Sequence, residues 1–166
     1  MRTDPPVQTD SPGVVIRVAG PDDWELLREL RRRVLNTDPD AFGSTLELEQ
    51  GYDETAWRAR LERGHSVFAT LGEEYVGLGG SFEDEPGSRM VVSMWVAPEM
   101  RERGIGRAIL DAVLAEAAGS TIRLWVADGN SAARRLYERA GFVDTGVRAP
   151  LRSGAALMKS QLALVR

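Results

Sequence analysis

The segment Arg101-Glu102-Arg103-Gly104-Ile105-Gly106-Arg107 places three guanidiniums and two glycines within seven residues. It follows a β-branched run, Arg89 to Val96, and opens a long apolar stretch, Ile105 to Ala118, that reads as a helix. The first turn of a helix leaves backbone N–H groups without intrahelical partners, at the positive end of the helix dipole. Gly104 and Gly106 lack a Cβ, so a diphosphate can approach that backbone closely. Arg101, Arg103 and Arg107 add positive charge at the same spot, and an anion site suited to phosphate is expected there. The plain alternative is a helix start with solvated arginines. The segment lacks the lysine of a Walker loop, and Ile109 stands where a dinucleotide fingerprint needs its third glycine.

Three further residues could do chemistry. Tyr137 shares a helix face with Ala133 and Ala140, a spacing that ordinarily packs a core aromatic. Asn130 precedes that helix and is of N-cap type. His65, the single histidine, titrates near neutrality but stands at the start of a strand-like run with no partner in sequence.

Composition narrows the chemistry. With 166 residues, 43% apolar and 28% charged, the chain fits one soluble globular domain. A formal net charge of −4 gives no bulk attraction to nucleic acid or an anionic membrane, and neither is expected as a partner. The absence of cysteine excludes disulfides, a thiolate nucleophile and Cys-ligated zinc or iron–sulfur centres. One histidine excludes a histidine-rich metal site and leaves any Ser-His-Asp triad dependent on His65. No apolar run approaches a membrane span, and no basic start precedes an apolar core, so a cytoplasmic location is expected. Of the 21 basic residues only Lys159 is a lysine, a bias attributed to genome composition.

The elements that must position these residues follow from periodicity. Residues 1–13, with Pro5, Pro6 and Pro12 among polar neighbours, read as a disordered tail, and residues 14–166 as a single domain. Strands are expected over Val14–Val18, Ser66–Leu71, Tyr75–Phe82, Arg89–Val96, Thr121–Ala127, Val143–Arg148 and Ala156–Leu164. Four helices are expected: one opened by Pro21 with a Trp24, Leu27, Leu30, Val34 stripe, then Glu54–Arg63 capped by Asp53, Ile105–Ala118 and Ser131–Ala140. Short turns imply antiparallel hairpins, and strand–helix–strand crossovers imply parallel pairs. The expected fold is therefore α/β (α+β): a mixed, mostly antiparallel twisted sheet of about seven strands with four helices on both faces.

Arg101, Gly104 and Gly106 match every defined position of Gln/Arg-x-x-Gly-x-Gly/Ala, and the segment resembles the acetyl-CoA signature of the GCN5-related N-acetyltransferase (GNAT) family. Asn130, Ala133, Tyr137, Gly141 and Phe142 match a second pattern of that family; Arg134 departs from it where an apolar residue is common. The likeness covers Val14 to Leu164 and implies the GNAT-like acyl-CoA N-acyltransferase fold.

The resemblance also implies roles. The chain would be an acetyl-CoA-dependent N-acetyltransferase that passes acetyl to a primary amine by direct attack, with acetyl-CoA as co-substrate and no metal. The backbone of Met94, Trp95 and Val96 would take the pantetheine arm, and the Met94 N–H would polarise the thioester carbonyl. Arg101, Glu102, Arg103, Gly104, Ile105, Gly106 and Arg107 would hold the pyrophosphate, Asn130 would reach the pantetheine, and Tyr137 would protonate the departing thiolate. Glu83, in the hairpin tip with Asp84 and Glu85, is a candidate base; Glu47 and Glu49 are candidate acceptor contacts. These carboxylates suggest a cationic acceptor. A homodimer is compatible with the family. Two other readings stay open: a non-catalytic acyl-CoA-binding regulatory module, and a phosphate-binding domain unrelated to CoA.

Overall fold

The computed structural model describes residues 7–8 and 13–165 of the chain. Its elements run β1 (Val7–Gln8), β2 (Val14–Val18), α1 (Trp24–Thr37), α2 (Leu46–Gln50), α3 (Glu54–Arg63), β3 (Gly64–Leu71), β4 (Glu74–Glu85) and β5 (Ser88–Val96). They continue with α4 (Ile105–Glu116), β6 (Thr121–Ala127), α5 (Ser131–Arg139), β7 (Phe142–Pro150) and β8 (Met158–Leu164). The strands form one sheet in the order β1-β2-β3-β4-β5-β6-β8-β7. Every neighbouring pair is antiparallel except β5 and β6. The mixed, mostly antiparallel sheet expected from the sequence is present, with its one parallel pair across the α4 crossover.

Four details differ from the periodicity reading. Val7–Gln8 pairs with Val15 and Ile16, so this part of the segment expected as a tail extends the sheet; the rest of residues 1–12 lies outside the described residues. Helix α1 begins at Trp24, not at Pro21, because the Asp23 carboxylate is occupied in the preceding turn. It accepts the Gly20 N–H at 2.7 Å and pairs with Arg17 at 2.9 Å. A fifth helix, α2, spans five residues, too few to show a helical period, and is started by Thr45 Oγ1 accepting the Leu48 N–H at 3.2 Å. His65 lies inside β3, since that strand already begins at Gly64.

The apolar stripes read from the sequence face one core. Leu27, Leu30 and Val34 of α1, Trp57 of α3, and Ile105, Ile109, Leu110 and Val113 of α4 are all buried. Asp53 caps α3 as expected, its Oδ1 accepting the Ala56 N–H at 2.9 Å. Helix α4 sits close against the sheet because β4 offers glycines beneath it. A Cβ at Gly77 would stand 2.5 Å from Ile109 Cδ1, and one at Gly79 would overlap Ile109 and come within 2.9 Å of Met94 Sδ. That close approach sets the height of the α4 N-terminus relative to the end of β5.

Candidate functional site

The site begins where two strands part. Strands β5 and β6 pair from Ser88↔Thr121 to Val91↔Leu124, and the pairing stops there. On its opposite edge β6 pairs with β8, Arg123–Ala127 against Ala163–Lys159. On its other side β5 stays bound to β4, but the register shifts: Val92 faces Gly80 and Trp95 faces Leu78, so Ser93 and Met94 share a single opposing residue, Gly79. This is a β-bulge, which re-aims a strand beside a site. Among the described residues, the backbone of β5 from Val92 onward has no strand partner on its β6 side.

The bulge is held in an uncommon conformation. Ser93 has φ of 61°, in the left-handed region that a non-glycine residue occupies at a cost of about 1–3 kcal/mol. Three helices pay into that constraint. Arg31 of α1 donates from Nη1 to Ser93 Oγ at 3.2 Å, and Arg60 of α3 donates from Nη2 to the same oxygen at 3.5 Å. Both guanidiniums are anchored on Glu49 of α2. Arg31 grips it through Nε at 2.9 Å and Nη2 at 2.6 Å, and Arg60 reaches it at 3.2 Å. Arg31 and Glu49 are each only 3% exposed. Burial alone would push the Glu49 carboxyl up; the Arg31 hydrogen bonds and charge, with Arg60, outweigh it and hold the carboxyl below its ordinary value.

The arginine–glycine segment forms the turn between β5 and α4. Gly104 has φ of 79° and Glu102 φ of 64°, so the chain makes two left-handed steps before the helix begins. The N–H groups of Ile105, Gly106 and Arg107, at the first turn of α4, donate to no backbone carbonyl among the described residues. Arg101 is held back onto the frame: its Nε donates to the Val96 carbonyl at 3.0 Å and its Nη2 to Asp38 at 2.7 Å. Trp95 Nε1 donates to the same Asp38 carboxylate at 2.8 Å. Burial would push the Asp38 carboxyl up, but these donors hold it low. Arg107 pairs with Asp111 one turn on, at 3.0 Å.

Two cavities meet at the parted strands. The larger, about 800 Å³, runs from the arginine–glycine turn along the β5 backbone to α5. Met94, Trp95, Val96, Arg101, Glu102, Gly104, Ile105, Gly106 and Arg107 line it, with Asn130 and Tyr137; Arg103 does not. The smaller, about 280 Å³, lies beyond and is lined by Arg31, Arg60, Ser93, Trp125 and Lys159 among others. Met94, Asn130 and Tyr137 belong to both linings. Asn130 caps α5, its Oδ1 accepting the Ala133 N–H at 3.4 Å, so its capping role and its place in the cavity coexist. Tyr137 is 6% exposed and stands edge-on to Phe142 at 5.9 Å. Burial pushes its phenol up, and its hydroxyl has no hydrogen-bond partner among the described residues.

The carboxylates singled out from the sequence lie elsewhere. Glu83 is exposed on β4 and lines neither cavity; its neighbour Asp84 pairs with Arg123 at 2.8 Å. Glu47 is exposed on α2, and Glu49 is consumed by Arg31 and Arg60. His65 approaches Glu116 at 3.8 Å, away from both cavities. Conversely, sequence reasoning passed over Arg31, Arg60, Ser93 and Asp38. Lys159 carried one signal, its solitude as the chain's lysine. Among the described residues no group of three or more His, Asp or Glu is placed to hold a metal ion, and no helix is long and apolar enough to cross a membrane.

The mixed sheet opens at its parallel pair, and the start of α4, with the arginine–glycine turn, stands at one end of that opening. The sequence profile described as Acetyltransferase (GNAT) family matches residues 25–142, and the chain belongs to that family. It is 32% identical over 138 residues to a mycothiol acetyltransferase of Clavibacter sepedonicus, covering 82% of this chain and 42% of that protein. It is 36% identical over 75 residues to a mycothiol acetyltransferase of Streptomyces scabiei (strain 87.22), covering 45% of this chain and 24% of that protein. The chain thus spans less than half the length of these curated relatives. Among solved structures, a GNAT-family acetyltransferase from Streptococcus pneumoniae superposes with a TM-score of 0.73 at 22% identity, covering 90% of this chain and 98% of that one. The protein yncA of Salmonella typhimurium, solved with its cofactor acetyl-CoA, superposes with a TM-score of 0.71 at 19% identity, covering 91% and 92%. At these identities the structural likeness is one of fold.

Proposed function

We propose that residues 14–166 form one acetyltransferase domain that moves the acetyl group of acetyl-CoA to a primary amine by direct attack. The observation that carries this reading is the junction of the two cavities: Met94 and Tyr137 line both, between the arginine–glycine turn and the smaller pocket. The turn fits a pyrophosphate, since unpaired amides of Ile105 to Arg107 and the open space beside Gly104, where a Cβ would meet nothing within 4 Å, coincide there. Beside β5, the backbone beyond Val92 is free to pair with an amide-bearing arm as a strand would.

The chemistry then divides among few groups. The acceptor nitrogen attacks the thioester carbonyl carbon, and the carbonyl oxygen gains charge that the Met94 N–H, presented by the Ser93 bulge, stabilises. The carbon–sulfur bond breaks, the electron pair goes to sulfur, and Tyr137 supplies the proton. Burial makes its phenol a weaker acid but equally raises the proton affinity of a thiolate released into the same dry space. Because Glu83 lines neither cavity, the proton leaving the acceptor nitrogen passes to water. The test is calorimetry with acetyl-CoA and ATP as rival ligands, followed by thiol release with amine acceptors. Selective binding of acetyl-CoA and amine-dependent release of CoA are expected; tight ATP binding with no response to acetyl-CoA would overturn the reading.

A further inference from the structure

Resting on that reading, we infer that the smaller cavity takes an acceptor whose amine is accompanied by an anionic group, a carboxylate or phosphate, received by Lys159. Among the described residues three cations, Arg31, Arg60 and Lys159, line this 280 Å³ space, and no aspartate or glutamate does. Behind the wall, Glu49 is one carboxylate shared by two guanidiniums, so that cluster keeps an uncompensated positive charge. Across the cavity, Lys159 has no carboxylate partner among the described residues. Its ammonium rests over the Trp125 ring, 4.6 Å from the centroid. A ring face keeps a cation in place but does not neutralise it. Partial burial pushes the Lys159 ammonium down, the response of a charge that lacks a counter-ion in a poorly solvated space.

The position of this lysine follows from the fold. Lys159 lies opposite Ala127 in the register of β6 with β8, beyond the point where β5 and β6 part. The chain meets almost all its need for cations with arginine, and its one lysine stands in this pocket. An incoming anion would complete the charge pattern, whereas a polyamine would meet three like charges. This reverses the cationic acceptor suggested by Glu47, Glu49 and Glu83, none of which lines the space. The volume is at the small end for ligand sites, so the anion and the amine belong to one small molecule, not to a protein surface.

Because Lys159 is the only lysine, reductive methylation of the intact protein with ¹³C-formaldehyde labels one side chain and the terminal amine, and the methylated lysine keeps its charge. With CoA present, the label is titrated with the proteinogenic amino acids, O-phosphoethanolamine, ethanolamine and spermidine. At least one carboxylate or phosphate probe is expected to shift the Lys159 signal saturably, with ethanolamine and spermidine producing no saturable shift. In parallel, acetylation of each amino acid is compared with that of its C-amide. A preference of tenfold or more in kcat/KM for the free carboxylate is expected for the probe that shifts the label, reduced toward parity in Lys159→Met and restored in part by Lys159→Arg. Saturation by O-phosphoethanolamine alone would identify the anion as phosphate. No shift by any anionic probe, or equal turnover of acid and amide for an amino acid that shifts the label, overturns the inference. Failure of the unmodified protein to bind acetyl-CoA would instead remove the proposed function beneath it.

Discussion

Arg31 Nη1 donates to Ser93 Oγ at 3.2 Å across 62 residues of sequence, and Ser93 is the residue whose φ of 61° makes the β5 bulge. A guanidinium buried in the helical layer thus holds the backbone of the strand that lines both cavities. The arrangement couples stability to site geometry: the guanidinium of the buried Arg31–Glu49 pair also holds the hydroxyl of the residue at the bulge, next to Met94.

Removing that guanidinium is the first test. Arg31→Met leaves both the buried Glu49 and the Ser93 hydroxyl with Arg60 alone. A loss of roughly 3–5 kcal/mol is expected, the usual consequence of breaking a buried pair from one side. Urea unfolding measures it, and Arg31→Lys should recover only part, since an ammonium cannot reproduce the two-pronged grip on Glu49.

The same pair sets a pH dependence. The Glu49 carboxyl is held below its ordinary value in the folded protein, so the unfolded chain binds the proton more readily. Its contribution to stability is complete above the unfolded value of about 4.3 and is lost as pH falls through the lower folded value. Urea midpoints between pH 7 and pH 3 should therefore fall more steeply for the wild type than for Glu49→Gln, which starts lower. Parallel curves would remove Glu49 from the acid response.

At the helix start, the two glycines answer to different demands. Gly104 needs its φ of 79°, and Gly104→Ala should cost about 1–2 kcal/mol in thermal or urea unfolding through strain. Gly106 has ordinary backbone geometry, and an added Cβ would meet Leu136 at 3.4 Å and Val96 at 3.7 Å, normal contacts. Gly106→Glu should consequently fold but place negative charge beside the pyrophosphate. Calorimetry should show acetyl-CoA affinity reduced by roughly a hundredfold or more.

Tyr137→Phe should retain acetyl-CoA binding and lower acetyl transfer by about 10²–10⁴-fold, the range for a positioned acid. Since burial pushes the phenol above its ordinary value of about 10, Tyr137 stays protonated through the working range. The kcat profile should show no basic limb from this residue below about pH 10. A limb near pH 8 that disappears in Tyr137→Phe would contradict the burial that defines its surroundings.

Packing beneath α4 can be tested at Gly79. A Cβ there overlaps Ile109 and crowds Met94 Sδ, so Gly79→Ala should destabilise by about 1–3 kcal/mol and displace β5 at the bulge. Thermal unfolding and acetyl-CoA affinity should both respond, whereas Gly72→Ala, in a turn where nothing lies within 4 Å, should leave that affinity as it is.

The arginine–glycine turn, the N-cap at Asn130 and the order of the longer strands and helices could be read from the chain because each depends on neighbours within one or two turns. A left-handed step at Gly104, orphan amides at Ile105 to Arg107 and an apolar stripe on α4 are consequences of local geometry, and local geometry is written in residue type and spacing. Tyr137 was visible as a buried helix residue for the same reason. The smaller cavity was not. Arg31, Arg60, Ser93 and Lys159, which line it, and Glu49, which anchors the two guanidiniums, come from five different elements, and no period links them. Glu49, in the run Leu46-Glu47-Leu48-Glu49, has the local pattern of a solvated carboxylate; only the approach of α1 and α3 supplies the two guanidiniums that allow its burial. Ser93 has no residue-type signal for a positive φ, since that conformation is imposed by the register shift against Gly79 and by contacts from two helices. Sequence alone determined the longer backbone elements and the arginine–glycine turn, where the forces act between near neighbours. Tertiary structure decided the charge and shape of the second pocket, where desolvated ions must find partners from distant parts of the chain.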